Sequence, residues 1–169
     1  NSYDNAVAYN DDVLANLIDS VKQHNDNALL VYFSDHGEEV YDSPEKQFTG
    51  RNEAAPTEAM YTVPFITWAS PKWKANGNAA QWQQYTNRPF TIADFIHTLP
   101  DMLGINFEGL DHSRSLVSDA FIARTRWIGN PLDPKSLKAF SHIKKTAVTQ
   151  SETTYIYPRP NQTTIGEIL

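Results

Sequence analysis

The chain has 169 residues, of which 40% are hydrophobic, and a formal net charge of −6. This length and apolar content suit one globular domain or a large part of one, and they exclude a disordered chain. An acidic chain without a basic stripe is a poor partner for nucleic acid, the absence of cysteine excludes disulfides and thiolate ligands, and no apolar run approaches the roughly 18 residues that span a bilayer.

The first two predicted elements are a helix over residues 4–23 and a strand over residues 28–33. The strand segment is rich in β-branched and aromatic residues and does not alternate in polarity, which is typical of a parallel strand covered on both faces. The helix is predicted from apolar residues that recur at helical spacing, namely Val7, Leu14, Leu17, Ile18 and Val21.

A candidate metal site follows the strand, where the chain reads Ser34-Asp35-His36-Gly37. In open α/β sheets, ligands bind beyond the carboxyl ends of the strands. Asp35 and His36 can reach one ion only if the chain turns there, and Gly37 would permit the turn. A carboxylate with an imidazole suits zinc or manganese better than calcium. The alternative is a plain strand-to-loop turn, in which Asp35 caps backbone amides and His36 is a hydrogen-bonded imidazole.

Residues 38–60 are predicted to form a long polar loop, and loops of this length in compact domains are usually functional or disordered. Arg51 in this loop could clamp a phosphate or a carboxylate through paired N–H donors. Its neighbour Asn52 is a second candidate for substrate binding. The alternative for Arg51 is an ordinary surface ion pair.

The pattern predicts a second strand over residues 63–69 and a second helix that Thr91 and Asp94 open as a capping box. Pro100 is expected to kink or close this helix. His97 lies beside the apolar stripe of the helix, so we interpret it as a structural histidine.

Beyond that helix, the pattern predicts a short strand over residues 124–128 and a strand over residues 155–157. Asp133 and Pro134 have the chemistry of a helix start and predict a third helix, which would carry Leu137, Phe140 and Ile143. We expect residues 1–148 to be the C-terminal part of a domain and residues 149–169 to be its tail. Because the sequence starts at Asn1 rather than at methionine, we also expect a piece of a longer protein.

Four segments occur in a characteristic order along the chain, namely Tyr3–Ala6, Ser34–Glu38, Val63–Trp68 and Ile96–Leu99. Their order resembles the C-terminal part of the bacterial phosphoethanolamine transferases, in the sulfatase-like branch of the alkaline phosphatase superfamily. Two further segments, Gly50–Glu53 and Arg126–Pro131, most resemble the members of that family that modify heptose in the lipopolysaccharide core.

The resemblance implies an α/β fold, a sheet with helices on both faces, of which this chain holds the C-terminal portion. It implies a bacterial inner-membrane enzyme, anchored through upstream helices, whose periplasmic domain moves phosphoethanolamine from phosphatidylethanolamine to a lipopolysaccharide core sugar. The metal is expected to be zinc, with manganese as an option. In the family, a threonine nucleophile forms a phosphoenzyme, and that threonine and a glutamate ligand lie upstream of this chain.

Carried over residue by residue, the family's Asp-His metal ligands match Asp35 and His36. The lipid A-modifying members carry a His-Gly about a dozen residues later, where this chain has Thr49-Gly50. The role of that histidine is therefore absent or reassigned, and Arg51 is our candidate for it. Because the nucleophile lies upstream, none of the residues in this chain is expected to be catalytic, and the isolated chain is expected to be inactive.

Two other functions remain open from the sequence. One is a sulfatase or phosphodiesterase hydrolase on the same scaffold, in which water replaces the acceptor hydroxyl. The other is a noncatalytic domain in which Asp35 and His36 only shape a turn. The sequence upstream of this chain discriminates between them, because a formylglycine-type sulfatase needs a Cys or Ser within a Cys/Ser-x-Pro-x-Arg segment there.

Overall fold

The computed structural model describes residues 2–42, 48–77, 79–130 and 132–143. In the described part, the chain forms two compact units. The first comprises the residues up to Tyr32 together with Phe65–Asn87, and the second comprises Phe33–Pro64 together with the residues from Arg88 onward. The strand predicted over residues 155–157 and the tail from residue 149 lie outside the described residues.

In the first unit, helix α1 (Ser2–His24) packs on strands β1 (Leu29–Phe33) and β4 (Phe65–Ala69), which pair in a two-stranded sheet. The three predicted elements are thus confirmed. The core that joins them consists of Leu14, Ile18 and Trp68, with Val21, Ala28, Leu30, Tyr32 and Ile66 packed around it.

Two details of the predicted burial are wrong. Val7 and Leu17 were expected on the packed face of α1, but they are 45% and 50% exposed. The buried residues of this helix are Leu14 and Ile18. Strand β1 was expected to be covered on both faces, whereas each of its five residues is only partly buried.

Ser70 ties the end of β4 to the start of β1. Its hydroxyl donates to the carbonyl oxygen of Asp26 at 2.8 Å and accepts from the amide of Ala28 at 3.0 Å. The same oxygen accepts from the amide of Trp73 at 3.2 Å, so that it caps helix α2 (Pro71–Asn76). One buried hydroxyl therefore bonds three backbone groups, two in the connection before β1 and one in the first turn of α2.

In the second unit, the predicted loop contains a small antiparallel ladder between β2 (Glu39–Val40) and β3 (Thr49–Gly50). Glu39 is fully buried, and its carboxylate accepts a 2.6 Å hydrogen bond from the hydroxyl of Thr57. The ladder was missed because two-residue strands leave no hydrophobic pattern in the sequence.

Helix α3 (Phe95–Leu103) forms as predicted, preceded by a short 3-10 helix, but two details differ. The side chain of Thr91 makes no cap hydrogen bond, so the capping box is wrong. Asp94 is instead buried, and it pairs with both the Nε and a terminal nitrogen of Arg114. Pro100 does not close the helix, which continues to Leu103.

The third predicted helix does not form. Asp133 caps only one turn of 3-10 helix, Pro134–Ser136. The chain then pairs as β6 (Lys138–Ala139) with β5 (Trp127–Ile128), where the short strand within residues 124–128 was predicted. Hydrogen bonds to a partner strand replace those of the expected helix.

Candidate functional site

The Asp35–His36 segment turns immediately after β1, as the candidate metal site requires. The hydroxyl of Ser34 donates to the carbonyl oxygen of His36 at 2.8 Å, and Asp35 Oδ1 accepts from the backbone amide of His36 at 3.1 Å. These two bonds close a tight turn within three residues. The second carboxylate oxygen of Asp35 therefore remains available for a ligand.

The geometry of this pair fits two ligands of one zinc ion. Asp35 Oδ2 and His36 Nε2 lie 3.8 Å apart, close to the roughly 3.3 Å expected for two ligands of a tetrahedral zinc ion. His36 Nδ1 lies 3.2 Å from the carbonyl oxygen of Gly37, a partner that holds the proton on Nδ1 and leaves Nε2 free for a metal. The side chains of Asp35 and His36 are 88% and 42% exposed, respectively.

Gly37 is needed here for a reason other than the one the sequence suggested. It is not among the glycines with positive φ. Instead, a Cβ at this position would collide with the carbonyl oxygen of Ala59 and would lie 2.8 Å from that of Thr62. The backbone of Gly37 also donates to the carbonyl oxygen of Met60 at 3.2 Å. Close approach of two backbones therefore requires glycine here.

Arg51 belongs to a cluster with Glu53 and Tyr61. Its Nη2 donates to Glu53 Oε1 at 2.7 Å, and its guanidinium lies 5.4 Å from the centroid of the Tyr61 ring. The hydroxyl of Tyr61 donates to the other oxygen of the same carboxylate. The side chain of Arg51 is 29% exposed, so the cluster holds a guanidinium at the surface.

The electrostatics of this cluster follow from these contacts. The hydrogen bond from Tyr61, followed by that from Arg51, lowers the pKa of Glu53. The hydrogen bond to Glu53 raises the pKa of Arg51, and burial raises the pKa of Tyr61.

The sequence reasoning missed Glu53 and Tyr61 as members of this site. Glu53 was visible as a charge two residues from Arg51, whereas nothing in the sequence linked Tyr61 to it. Asn52 mainly shapes the loop, because its Oδ1 accepts from the amide of Ala54 at 3.1 Å.

His97 has a structural role, as interpreted from the sequence. It is 8% exposed, and its Nδ1 accepts a 3.2 Å hydrogen bond from the amide of Asp111. It therefore anchors the segment that follows α3. Among the residues that the structure describes, no group of three or more His, Cys, Asp or Glu side chains could hold a metal ion.

Comparison with known proteins places this site in a family. A model of the sulfatase family matches residues 1–105. The chain is 49% identical over 137 residues to phosphoethanolamine transferase EptC of Escherichia coli K12, an alignment that covers 81% of this chain and 24% of that protein. It is 38% identical over 81 residues to the Kdo(2)-lipid A phosphoethanolamine 7''-transferase of the same strain, covering 48% of this chain and 14% of the relative.

A solved structure also matches, the C-terminal periplasmic domain of the Escherichia coli EptC protein in complex with Zn. The TM-score is 0.80 at 47% identity, and the match covers 83% of this chain and 39% of that one. The chain thus spans about a quarter of the length of the first curated relative. The α/β, sulfatase-like fold class and the expected C-terminal position within it are confirmed. On this evidence the chain belongs to the sulfatase family.

Proposed function

We propose that this chain is the C-terminal part of the catalytic domain of a metal-dependent phosphoethanolamine transferase. The parent enzyme would move phosphoethanolamine from phosphatidylethanolamine to a lipopolysaccharide core sugar through a threonine phosphoenzyme, with the nucleophile outside this chain. One observation carries the proposal. An exposed Asp35–His36 pair, with ligand-like spacing, lies at the end of β1 in a chain that is 49% identical to a phosphoethanolamine transferase.

Within this enzyme, Asp35 and His36 would hold zinc through Oδ2 and Nε2. The carbonyl oxygen of Gly37 fixes the tautomer of His36 that such binding needs. Bound zinc would polarise the phosphoryl group and lower the pKa of a coordinated hydroxyl. Zinc is favoured over manganese, since the solved structure of the relative is a complex with Zn.

Arg51 would bind the phosphate of the donor or an anionic group of the acceptor. A guanidinium has five N–H donors, and the contact with Glu53 uses Nη2, so donors remain for phosphate oxygens. Glu53 and Tyr61 would keep the guanidinium oriented. Asn52 would assist through its amide nitrogen, because its oxygen already accepts a hydrogen bond within the loop.

The proposed location is the periplasmic face of the bacterial inner membrane. The supporting observation is that the matching solved structure is described as a C-terminal periplasmic domain. None of the described helices is long and apolar enough to cross a membrane. The membrane anchor that the family resemblance implies is proposed to lie in upstream helices of the parent chain.

The test is the zinc content and transfer activity of the parent periplasmic domain. We expect Asp35→Ala and His36→Ala each to weaken zinc binding by more than the 10- to 100-fold typical of losing an outer partner of a ligand, and to abolish transfer. His112→Ala is the matched control, because His112 is an exposed histidine that pairs with Asp101. Unchanged zinc stoichiometry in both variants would contradict the assignment of Asp35 and His36 as zinc ligands. Transfer of phosphoethanolamine to water instead of to a sugar hydroxyl would favour the hydrolase.

A further inference from the structure

The β5–β6 hairpin, defined as residues 126–130 and 132–140, is a short antiparallel pair of strands in the second unit. Trp127 pairs with Ala139 and Ile128 with Lys138. Gly129 has a φ of 116°, and a Cβ there would lie 2.7 Å from the carbonyl oxygen of Ser136. Glycine is thus required twice over, by its backbone conformation and by the close approach of the opposite chain.

The neutral and acidic polar groups of the hairpin turn are directed into the turn itself. Asn130 Oδ1 accepts from the amide of Leu132 at 2.9 Å, and Asp133 Oδ1 accepts from the amide of Lys135 at 3.2 Å. The hydroxyl of Ser136 donates to the carbonyl oxygen of Asp133 at 2.8 Å and accepts from the amide of Asn130 at 3.1 Å. These hydrogen bonds stabilise the turn.

The exposed side chains of the hairpin include two large apolar residues and two lysines, beside the polar Asn130 and Asp133 of the turn. Leu132 is 91% exposed and Trp127 is 63% exposed, both unusual for large apolar residues. Lys135 and Lys138 are also exposed. Within the hairpin, three Lys or Arg residues stand against one Asp, although the whole chain carries a net charge of −6.

We propose that the β5–β6 hairpin docks this chain on the surface of an anionic phospholipid bilayer. Tryptophan favours the membrane interface, exposed lysines attract anionic headgroups, and an exposed leucine gains by entering the acyl boundary. Because adjacent strand residues face opposite sides, Trp127 and Lys138 lie on opposite faces of the hairpin. The hairpin therefore docks tip first, with Leu132 and Lys135 leading.

This inference goes beyond the transfer reaction and does not depend on it. The competing partner is an acidic glycan, which would also use an exposed tryptophan and cations. The structure favours the bilayer, because Leu132 cannot stack on a sugar ring. In addition, Asn130 Oδ1 and Asp133 Oδ1 already accept hydrogen bonds within the turn.

The charge requirement is tested by flotation of the full chain with vesicles of phosphatidylcholine, alone or mixed with phosphatidylglycerol. We expect binding only to the mixed vesicles, weakened by salt. Lys135→Gln and Lys138→Gln should each weaken it by roughly fivefold. Lys72→Gln is the matched control, an exposed lysine of the first unit whose loss should leave binding unchanged.

The apolar requirement is tested with Leu132→Ser, for which we expect roughly tenfold weaker binding. Ile96→Ser, at a residue of α3 that is 62% exposed, is the control. Vesicles should also shift the fluorescence of Trp127 to the blue, and Trp127→Phe should abolish the shift. Equal binding to neutral vesicles, no binding to either kind, insensitivity to these substitutions, or binding of a soluble acidic glycan in place of vesicles would each overturn the proposal.

Discussion

At the scale of single residues, Gly37 shows how tightly the turn after β1 is built. Gly37→Ala should destabilise the chain by about 1–3 kcal/mol, because the added methyl group meets the carbonyl oxygens of Ala59 and Thr62. Urea denaturation measures this loss. Gly77→Ala is the control, since its Cβ would meet no atom closer than 3.7 Å. Equal stabilities of the two variants would show that the loop carrying Ala59 moves away freely.

The role proposed for Arg51 predicts a kinetic effect. Arg51→Ala in the parent enzyme should lower kcat/KM for transfer by roughly 10- to 150-fold, the loss of a charge-assisted hydrogen bond worth about 1.5–3 kcal/mol. Arg124→Ala is the control, because this half-exposed arginine contacts Ser113 and Asp111 rather than the site. Wild-type kinetics in Arg51→Ala would show that Arg51 does not bind substrate and that its role is the surface ion pair with Glu53.

The lowered pKa of Glu53 predicts a dependence of stability on pH. The hydrogen bonds from Tyr61 and Arg51 favour the ionised carboxylate, so their contribution is complete above the ordinary value of 4.5 and is lost as the pH falls through the lower folded value. Because Glu53 is half-exposed, we expect its ionised carboxylate to contribute about 0.2–1 kcal/mol to the free energy of unfolding.

The measurement for Glu53 is the free energy of unfolding at pH 6 and at roughly pH 3, compared between the wild type and Glu53→Gln. The advantage of the wild type should be present at the higher pH and should shrink in acid. A difference that does not change with pH would mean that the charge of Glu53 contributes nothing and that the substitution acts through packing.

At the scale of elements, short ladders and side-chain contacts across the sequence hold the second unit together. Helix α3 is fixed by Thr98, whose hydroxyl accepts from the amide of Leu116 at 3.0 Å. Arg88 binds the same segment through the carbonyl oxygens of Leu116 and Ser118, at 2.6 and 2.7 Å. These bonds satisfy backbone groups of a segment that has no sheet or helix of its own.

The β5–β6 hairpin offers a test at this scale. Gly129→Ala combines a positive φ with a collision at Ser136, whereas Gly109→Ala has a φ of 95° and open space around its Cβ. Both lose the freedom of glycine, so the difference reports the collision alone. We expect Gly129→Ala to be less stable by a further 1–3 kcal/mol or so in chemical denaturation. Equal losses of stability in the two variants would mean that the strands of the hairpin move apart at Ser136 without a cost in free energy.

At the scale of the whole molecule, the chain holds two of the proposed metal ligands and spans 24% of the length of its curated relative. Two ligands bind zinc far more weakly than a closed set of three or four. Without the threonine nucleophile that we propose upstream of this chain, no phosphoenzyme should form. We therefore expect the isolated chain to show no transfer from labelled phosphatidylethanolamine. Mass spectrometry should find no phosphoethanolamine adduct, and an adduct on any residue of this chain would refute the mechanism.

The sequence by itself determined α1, β1 and β4, because their apolar patterns are long enough to specify an element without knowledge of its neighbours. It also located the Asp35–His36 pair, since a run of apolar residues that stops on polar ones marks the end of a strand. The turn that brings the two side chains together is local, closed by Ser34 and by Asp35 itself. Local interactions of this kind are encoded in adjacent residues.

Only the tertiary structure decided the features that depend on residues distant in sequence. Asp94 binds Arg114, twenty residues away, in place of capping its own helix. Lys138 and Ala139 pair with β5, and that pairing replaces the helix that Leu137, Phe140 and Ile143 would suggest. Glycine is required at position 37 by the carbonyl oxygens of a loop more than twenty residues later. The free energy of these contacts comes from groups that the folded chain brings together, which no local pattern contains.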